Sequence, residues 1–147
     1  MGLYRNILVA VDGSPDAEAA LRHAAALARD QNARLTLLSV APLPASTAGV
    51  GGATPPDPLD LHAKALREAA AGLPEDAVVT TLLERGDPAE AILATAQKGG
   101  HDLIVMGSHG HSRFHRALLG SVSEKVLRTS RLPVLLMSDG VSEADQP

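Results

Sequence analysis

Three glycines, Gly107, Gly110 and Gly120, are spaced by two and by nine residues, and a hydroxyl follows at once in Ser121. The apolar run Leu103 to Met106 ahead of them reads as a buried strand. Behind them, Ser121-Val122-Ser123-Glu124 reads as a capping box, with Ser121 at the cap of a helix. A helix start presents N–H groups without intrahelical acceptors and the positive end of the helix dipole. Upstream glycines let the backbone approach a ligand with no Cβ in the way. The combination predicts an anion site suited to phosphate. If Ser121 is the cap, removing its hydroxyl is expected to cost about 0.5–2 kcal/mol. The plainer reading is a glycine-punctuated connection in front of a capped helix.

The charge pattern favours the anion site. The whole chain carries 13 Lys plus Arg against 17 Asp plus Glu, a formal charge of −4, yet no acidic residue lies between Leu103 and Ser123. Arg113 and Arg116 fall in that stretch, with His109, His111 and His115, half of the six histidines. A cationic pocket in an anionic chain suits a small charged ligand better than an extended polyanion. The three histidines have no Cys or Asp at ligand spacing, so no metal site is expected there. Asp12, just past the apolar run Ile7 to Val11, is the second candidate. If the first and fourth strands are neighbours, its carboxylate faces the glycine loop and accepts ribose hydroxyls or holds a cation beside phosphates. Otherwise it folds into an Asx turn with Gly13 and Ser14.

Several chemistries are absent from the pattern. There is no Gly-x-x-x-x-Gly-Lys-Ser/Thr loop, no Gly-x-Gly-x-x-Gly after the first strand and no Gly-x-Ser-x-Gly elbow. The chain offers charge clamps for phosphate more clearly than it offers a base for its transfer.

Unbroken apolar runs, of the kind buried on both faces of a parallel sheet, position these residues. Strands are predicted at Ile7–Val11, Leu35–Val40, Val78–Leu83, Leu103–Met106 and Pro133–Met137. Helices alternate with them: from Ser14-Pro15 to Arg29, from Leu59 to Ala71, from Asp87-Pro88 to Gly99, and from Val122 to about Thr129. Such alternation implies right-handed crossovers with helices on both faces of an open sheet. Residues 41–58, dense in Pro and Gly, are expected to form a mobile loop, a lid or plain disorder. One domain over 1–138 is expected, with 139–147 a frayed acidic tail.

Composition narrows the partners. Negative charge and only two aromatics, Tyr4 and Phe114, argue against nucleic acid. The absence of cysteine sits with a reducing compartment. With neither a leader-like start nor a membrane-length apolar run, a cytoplasmic chain with no membrane partner is expected.

The glycine-Ser motif, Ile7 to Asp12 and the Ser121–Met137 segment resemble the ATP-binding subgroup of the universal stress protein family, from about Arg5 to Met137. Asp87-Pro88-Ala89-Glu90 and Asp102 to Gly107 are similar to that family as well. The resemblance implies a Rossmann-like, adenine nucleotide α-hydrolase-like α/β fold, five parallel strands in the order 3-2-1-4-5. It implies ATP, or ADP or AMP, with Mg²⁺ accompanying the nucleotide. Asp12 would then contact the ribose or metal side, with Ala10 and Val11 also among the nucleotide-binding residues; Val40 would recognise adenine through its backbone, and Met106 and Gly107 would lie along the nucleoside. Gly110, Gly120, Ser121 and Val122 would hold phosphates, with His109 and Ser123 also among the nucleotide-binding residues and His111, Ser112 and Arg113 in the variable part of the motif. The family's habit of pairing last strands implies a homodimer through Val134–Met137, a bare apolar edge. The implied function is a nucleotide-dependent regulator in stress response. Two other readings stand beside it. One is a slow ATPase or related nucleotide hydrolase, although Asp12-Gly13-Ser14-Pro15 departs from the Ser-Gly-Gly-rich loop of those enzymes. The other is an interaction module that binds no nucleotide.

Overall fold

The computed structural model describes residues 2–43, 57–109 and 119–139. Its elements are β1 (Asn6–Ala10), α1 (Pro15–Gln31), β2 (Arg34–Ala41), α2 (Pro58–Ala71), β3 (Val79–Arg85), α3 (Pro88–Lys98), β4 (Leu103–Gly107), α4 (Ser121–Thr129) and β5 (Val134–Met137). The five strands form one parallel sheet in the order β3-β2-β1-β4-β5. The expected architecture and strand order are therefore observed. No helix among the described residues is long and apolar enough to cross a membrane.

Alternation along the strands divides the core in two. Ile7, Val9, Leu35, Leu37, Leu103 and Val105 pack with Ala20, Ala24 and Ala28 of α1 and Leu66 of α2. Leu8, Leu38, Val40, Ile104 and Met106 point to the other face and meet Ala89, Ile92 and Ala96 of α3 and Val126 of α4. Both faces are covered, which is why the inner strands read as continuous apolar runs. The small residues of α1 let that helix lie close to the sheet.

Three helices begin as their sequences dictate. Ser14, fully buried, accepts from the Ala17 N–H at 3.2 Å, with Pro15 at the first helical position. Asp87 accepts from the Glu90 N–H at 2.9 Å, again with proline next. That N–H holds the Asp87 carboxyl below the usual range, with help from Lys125. Asp57 caps α2 through the Leu59 N–H and takes a two-pronged contact from Arg85 at 3.0 and 2.6 Å. The Arg85 hydrogen bonds, then the Leu59 N–H, hold its carboxyl below the usual range. The expected loop over 41–58 is thus shorter at both ends, since Ala41 belongs to β2 and Asp57-Pro58 open α2; residues 44–56 lie outside the described residues.

Ser14→Ala should destabilise the chain by about 1–2 kcal/mol, because the Ala17 N–H then loses its acceptor in a dry site. Urea unfolding followed by circular dichroism checks it, with the transition moving to lower urea at unchanged slope.

Candidate functional site

Strand order reverses between β1 and β4, and a crevice opens beyond their carboxyl ends. A cavity of about 570 Å³ occupies it. Ala10, Val11 and Asp12 form one wall, and Leu38, Val40 and Pro42 extend that wall along β2. Met106, Gly107 and His109 continue from β4 into the loop, and Gly120, Ser121, Val122 and Ser123 bring in the start of α4. His62 of α2 and Pro88 and Ile92 of α3 close the sides. Eleven residues singled out from sequence therefore share one cavity: Ala10, Val11, Asp12, Val40, Met106, Gly107, His109, Gly120, Ser121, Val122 and Ser123. Gly110, His111, Ser112 and Arg113 lie outside the described residues, as do His115 and Arg116.

The start of α4 corrects the reading of the capping box. Gly120, not Ser121, is the N-cap, and no side chain caps the helix. The cause is tertiary. The Gly120 N–H donates to the Ser108 carbonyl at 2.8 Å, which pins the residue before Ser121 at the base of the loop. Ser121 becomes the first helical residue, exposed, and its hydroxyl caps nothing. The first intrahelical bond runs from Glu124 N–H to Gly120 carbonyl, leaving the N–H groups of Ser121, Val122 and Ser123 without intrahelical acceptors at the cavity wall. Ser123 carries the structural load instead. Its buried hydroxyl lies 2.9 Å from the Gly107 carbonyl and 2.8 Å from that of Ser108, sharing one proton between them.

Gly107 and Gly120 also have a packing role. A Cβ on Gly107 would stand 2.7 Å from Asp16 Cβ and 2.9 Å from the Ala17 nitrogen, so this glycine lets α1 lie against β4. A Cβ on Gly120 would meet His109 Cα and the Ser108 carbonyl oxygen, each at 3.2 Å. Both glycines allow close packing of protein on protein.

Below the cavity lies a polar cluster without a local sequence signal. Asp16, fully buried in the first turn of α1, accepts the Ser108 hydroxyl at 3.1 Å and lies 3.2 Å from His109 Nδ1, both through Oδ2. Its Oδ1 accepts from the Asp139 N–H at 3.0 Å, so the first residue of the expected tail is tied into the fold, while 140–147 lie outside the described residues. Asp12 makes the Asx turn, its Oδ1 accepting from the Ser14 N–H at 2.9 Å, while still lining the cavity. The two readings of Asp12 are therefore compatible.

The sequence model of the universal stress protein family matches residues 3–138. Universal stress protein YxiE of Bacillus subtilis is 33% identical, over 92% of this chain and 99% of its own. Among solved structures, a universal stress protein from Archaeoglobus fulgidus in complex with dAMP superposes with a TM-score of 0.65 at 31% identity, covering 92% of this chain and 99% of its own. A universal stress protein in complex with cAMP gives 0.67 at 27% identity, covering 93% and 98%.

Two serines two residues apart should respond in opposite ways. Ser123→Ala is expected to cost about 1–3 kcal/mol, leaving buried carbonyls short of a donor, whereas Ser121→Ala should change stability by less than about 0.5 kcal/mol. Parallel denaturation curves of the two variants decide it.

Proposed function

The chain belongs to the universal stress protein family, and from that premise we propose that it binds ATP in the crevice beyond β1 and β4. It then acts as a nucleotide-dependent regulator in the stress response, in the cytoplasm. ADP and AMP are shorter occupants of the same cavity. One observation carries the reading: a single hollow joins an apolar half, walled by Leu38, Val40, Ile92 and Met106, to a half rimmed by the free amides of α4. The first half suits a base and the second suits phosphates. The relatives bound to dAMP and cAMP support the ligand class. Mg²⁺ enters with the phosphates, and Asp12 is the carboxylate nearest to meet the ribose or that ion. The volume lies within the roughly 300–1,000 Å³ of ordinary ligand pockets.

A homodimer through β5 completes the proposal. The strand Val134–Met137 stands at the edge of the sheet and is only half-buried. Antiparallel pairing with a second copy would satisfy its outer backbone groups and cover its apolar side chains.

Calorimetric titration with Mg-ATP tests the binding. Wild type should release or absorb measurable heat to saturation, and Ser121→Asp should weaken affinity about tenfold or more by setting a carboxylate against the phosphates. The same substitution leaves stability level or higher, since an acidic residue in a first helical turn is favourable. A wild-type titration without heat at two temperatures overturns the proposal.

A further inference from the structure

Asp16 stands beside the cavity without entering it. Ser14 and Ala17 of the same turn line the hollow, whereas the Asp16 side chain, 1% exposed, is not among the lining groups and reaches the loop after β4. Both of its carboxylate oxygens accept. Oδ1 takes the Asp139 N–H at 3.0 Å, and Oδ2 takes the Ser108 hydroxyl at 3.1 Å. A hydroxyl held by a carboxylate is held more firmly than one held by a neutral acceptor.

Ser108 passes that constraint across the loop. Its carbonyl accepts the Gly120 N–H and the Ser123 hydroxyl, both at 2.8 Å. Those two residues bracket Ser121 and Val122, so one peptide group holds both ends of the first turn of α4. The hydroxyl and the carbonyl of Ser108 share one Cα, so anchoring the first on Asp16 restricts rotation of the second. The apolar half of the cavity stands outside this chain of bonds. Leu38, Val40, Ile92 and Met106 belong to the core on one face of the sheet, while α1 covers the other.

We propose that Asp16 is a positioning residue for the phosphate end of the site. Acting through Ser108, it sets the start of α4 and so governs the affinity contributed by phosphates, leaving that contributed by base and ribose. This rests on the nucleotide reading of the same cavity. An N–H···O bond is good only over about 2.7–3.2 Å, so a small displacement of the helix start weakens several donors together.

The sign of the effect separates this role from a plain charge effect. A negative charge near an anion site repels the anion, so if Asp16 acted by charge alone its neutralisation would strengthen Mg-ATP binding. If it acts by position, neutralisation weakens that binding. Asp16→Asn keeps size and shape but offers one acceptor oxygen in place of two, so the Asp139 N–H and the Ser108 hydroxyl cannot both keep their acceptors.

The test is calorimetric titration of the full chain with Mg-ATP and, separately, with adenosine. Asp16→Asn and Ser108→Ala should each bind Mg-ATP roughly tenfold more weakly, with adenosine affinity within about twofold of wild type. Ala28→Gly, a buried change toward the far end of α1, should lower stability and leave both affinities unchanged. Tighter Mg-ATP binding by Asp16→Asn overturns this inference, as do equal losses for the two ligands or no loss for either. Should Asp16→Asn fail to fold, Ser108→Ala decides by the same comparison, because it leaves the carboxylate and every backbone group in place. In each of these outcomes Mg-ATP binding by wild type keeps the nucleotide reading intact. A wild type that binds no Mg-ATP removes that reading, and this inference with it.

Discussion

The buried carboxylate of Asp16 is the constraint around which the functional end of this fold is arranged. It sits one residue past Pro15 in the first turn of α1, where the helix dipole favours a negative charge. Three polar groups from distant parts of the chain converge on it: the Ser108 hydroxyl, the His109 ring and the Asp139 N–H. An ionised carboxylate excluded from water is costly unless its lone pairs are filled, and here the filling groups come from the loop after β4 and the chain after β5. The charge thereby fixes where both segments run. Gly107 is the complementary condition, because any Cβ there would collide with Asp16 and hold α1 away from β4.

Much of this fold could be read from local pattern. Apolar runs marked the strands, and Ser14-Pro15 and Asp87-Pro88 marked helix starts through a mechanism that needs only adjacent residues. The strand order could not be derived that way. It was implied by resemblance to a family, and alternation alone leaves the order of parallel strands open. Val79–Arg85 was the least apolar strand for a reason visible in the sheet: it is an edge, with most of its side chains exposed.

What the sequence hid was polar and long-range. The capping box read at Ser121 does not form, because Gly120 takes the cap position one residue earlier, held there by the Ser108 carbonyl, which accepts the Gly120 N–H. Ser123 looked like a member of a cap motif, yet its hydroxyl closes the loop by reaching back to Gly107 and Ser108. Asp16 looked like an ordinary acidic residue in a first helical turn. Nothing in its neighbours announced that it would be 1% exposed, since burial of a charge depends on partners ninety or more residues away. Cavity residues on strand ends were easier to find, because the topology brings the carboxyl ends of β1 and β4 together whatever the side chains are.

The two halves of the cavity therefore obey different rules. The apolar half is made by strand alternation and the inward face of α3, so Leu38, Val40, Ile92 and Met106 contribute shape and volume. Exchanges that conserve volume are tolerable in such a surface. The polar half is a set of hydrogen bonds in which Ser108 takes part five times: N–H to Met137 carbonyl, carbonyl to Gly120 and Ser123, hydroxyl to Asp16 and to the His109 ring. Loss of one member strands the others in a dry site, so their energies do not add independently. The amides at the start of α4 are held in place by that set, so under the proposed function their alignment would precede any anion. A rigid donor array of this kind costs little ordering on binding, which is the physical reason a small stretch of backbone can serve as a site for phosphate.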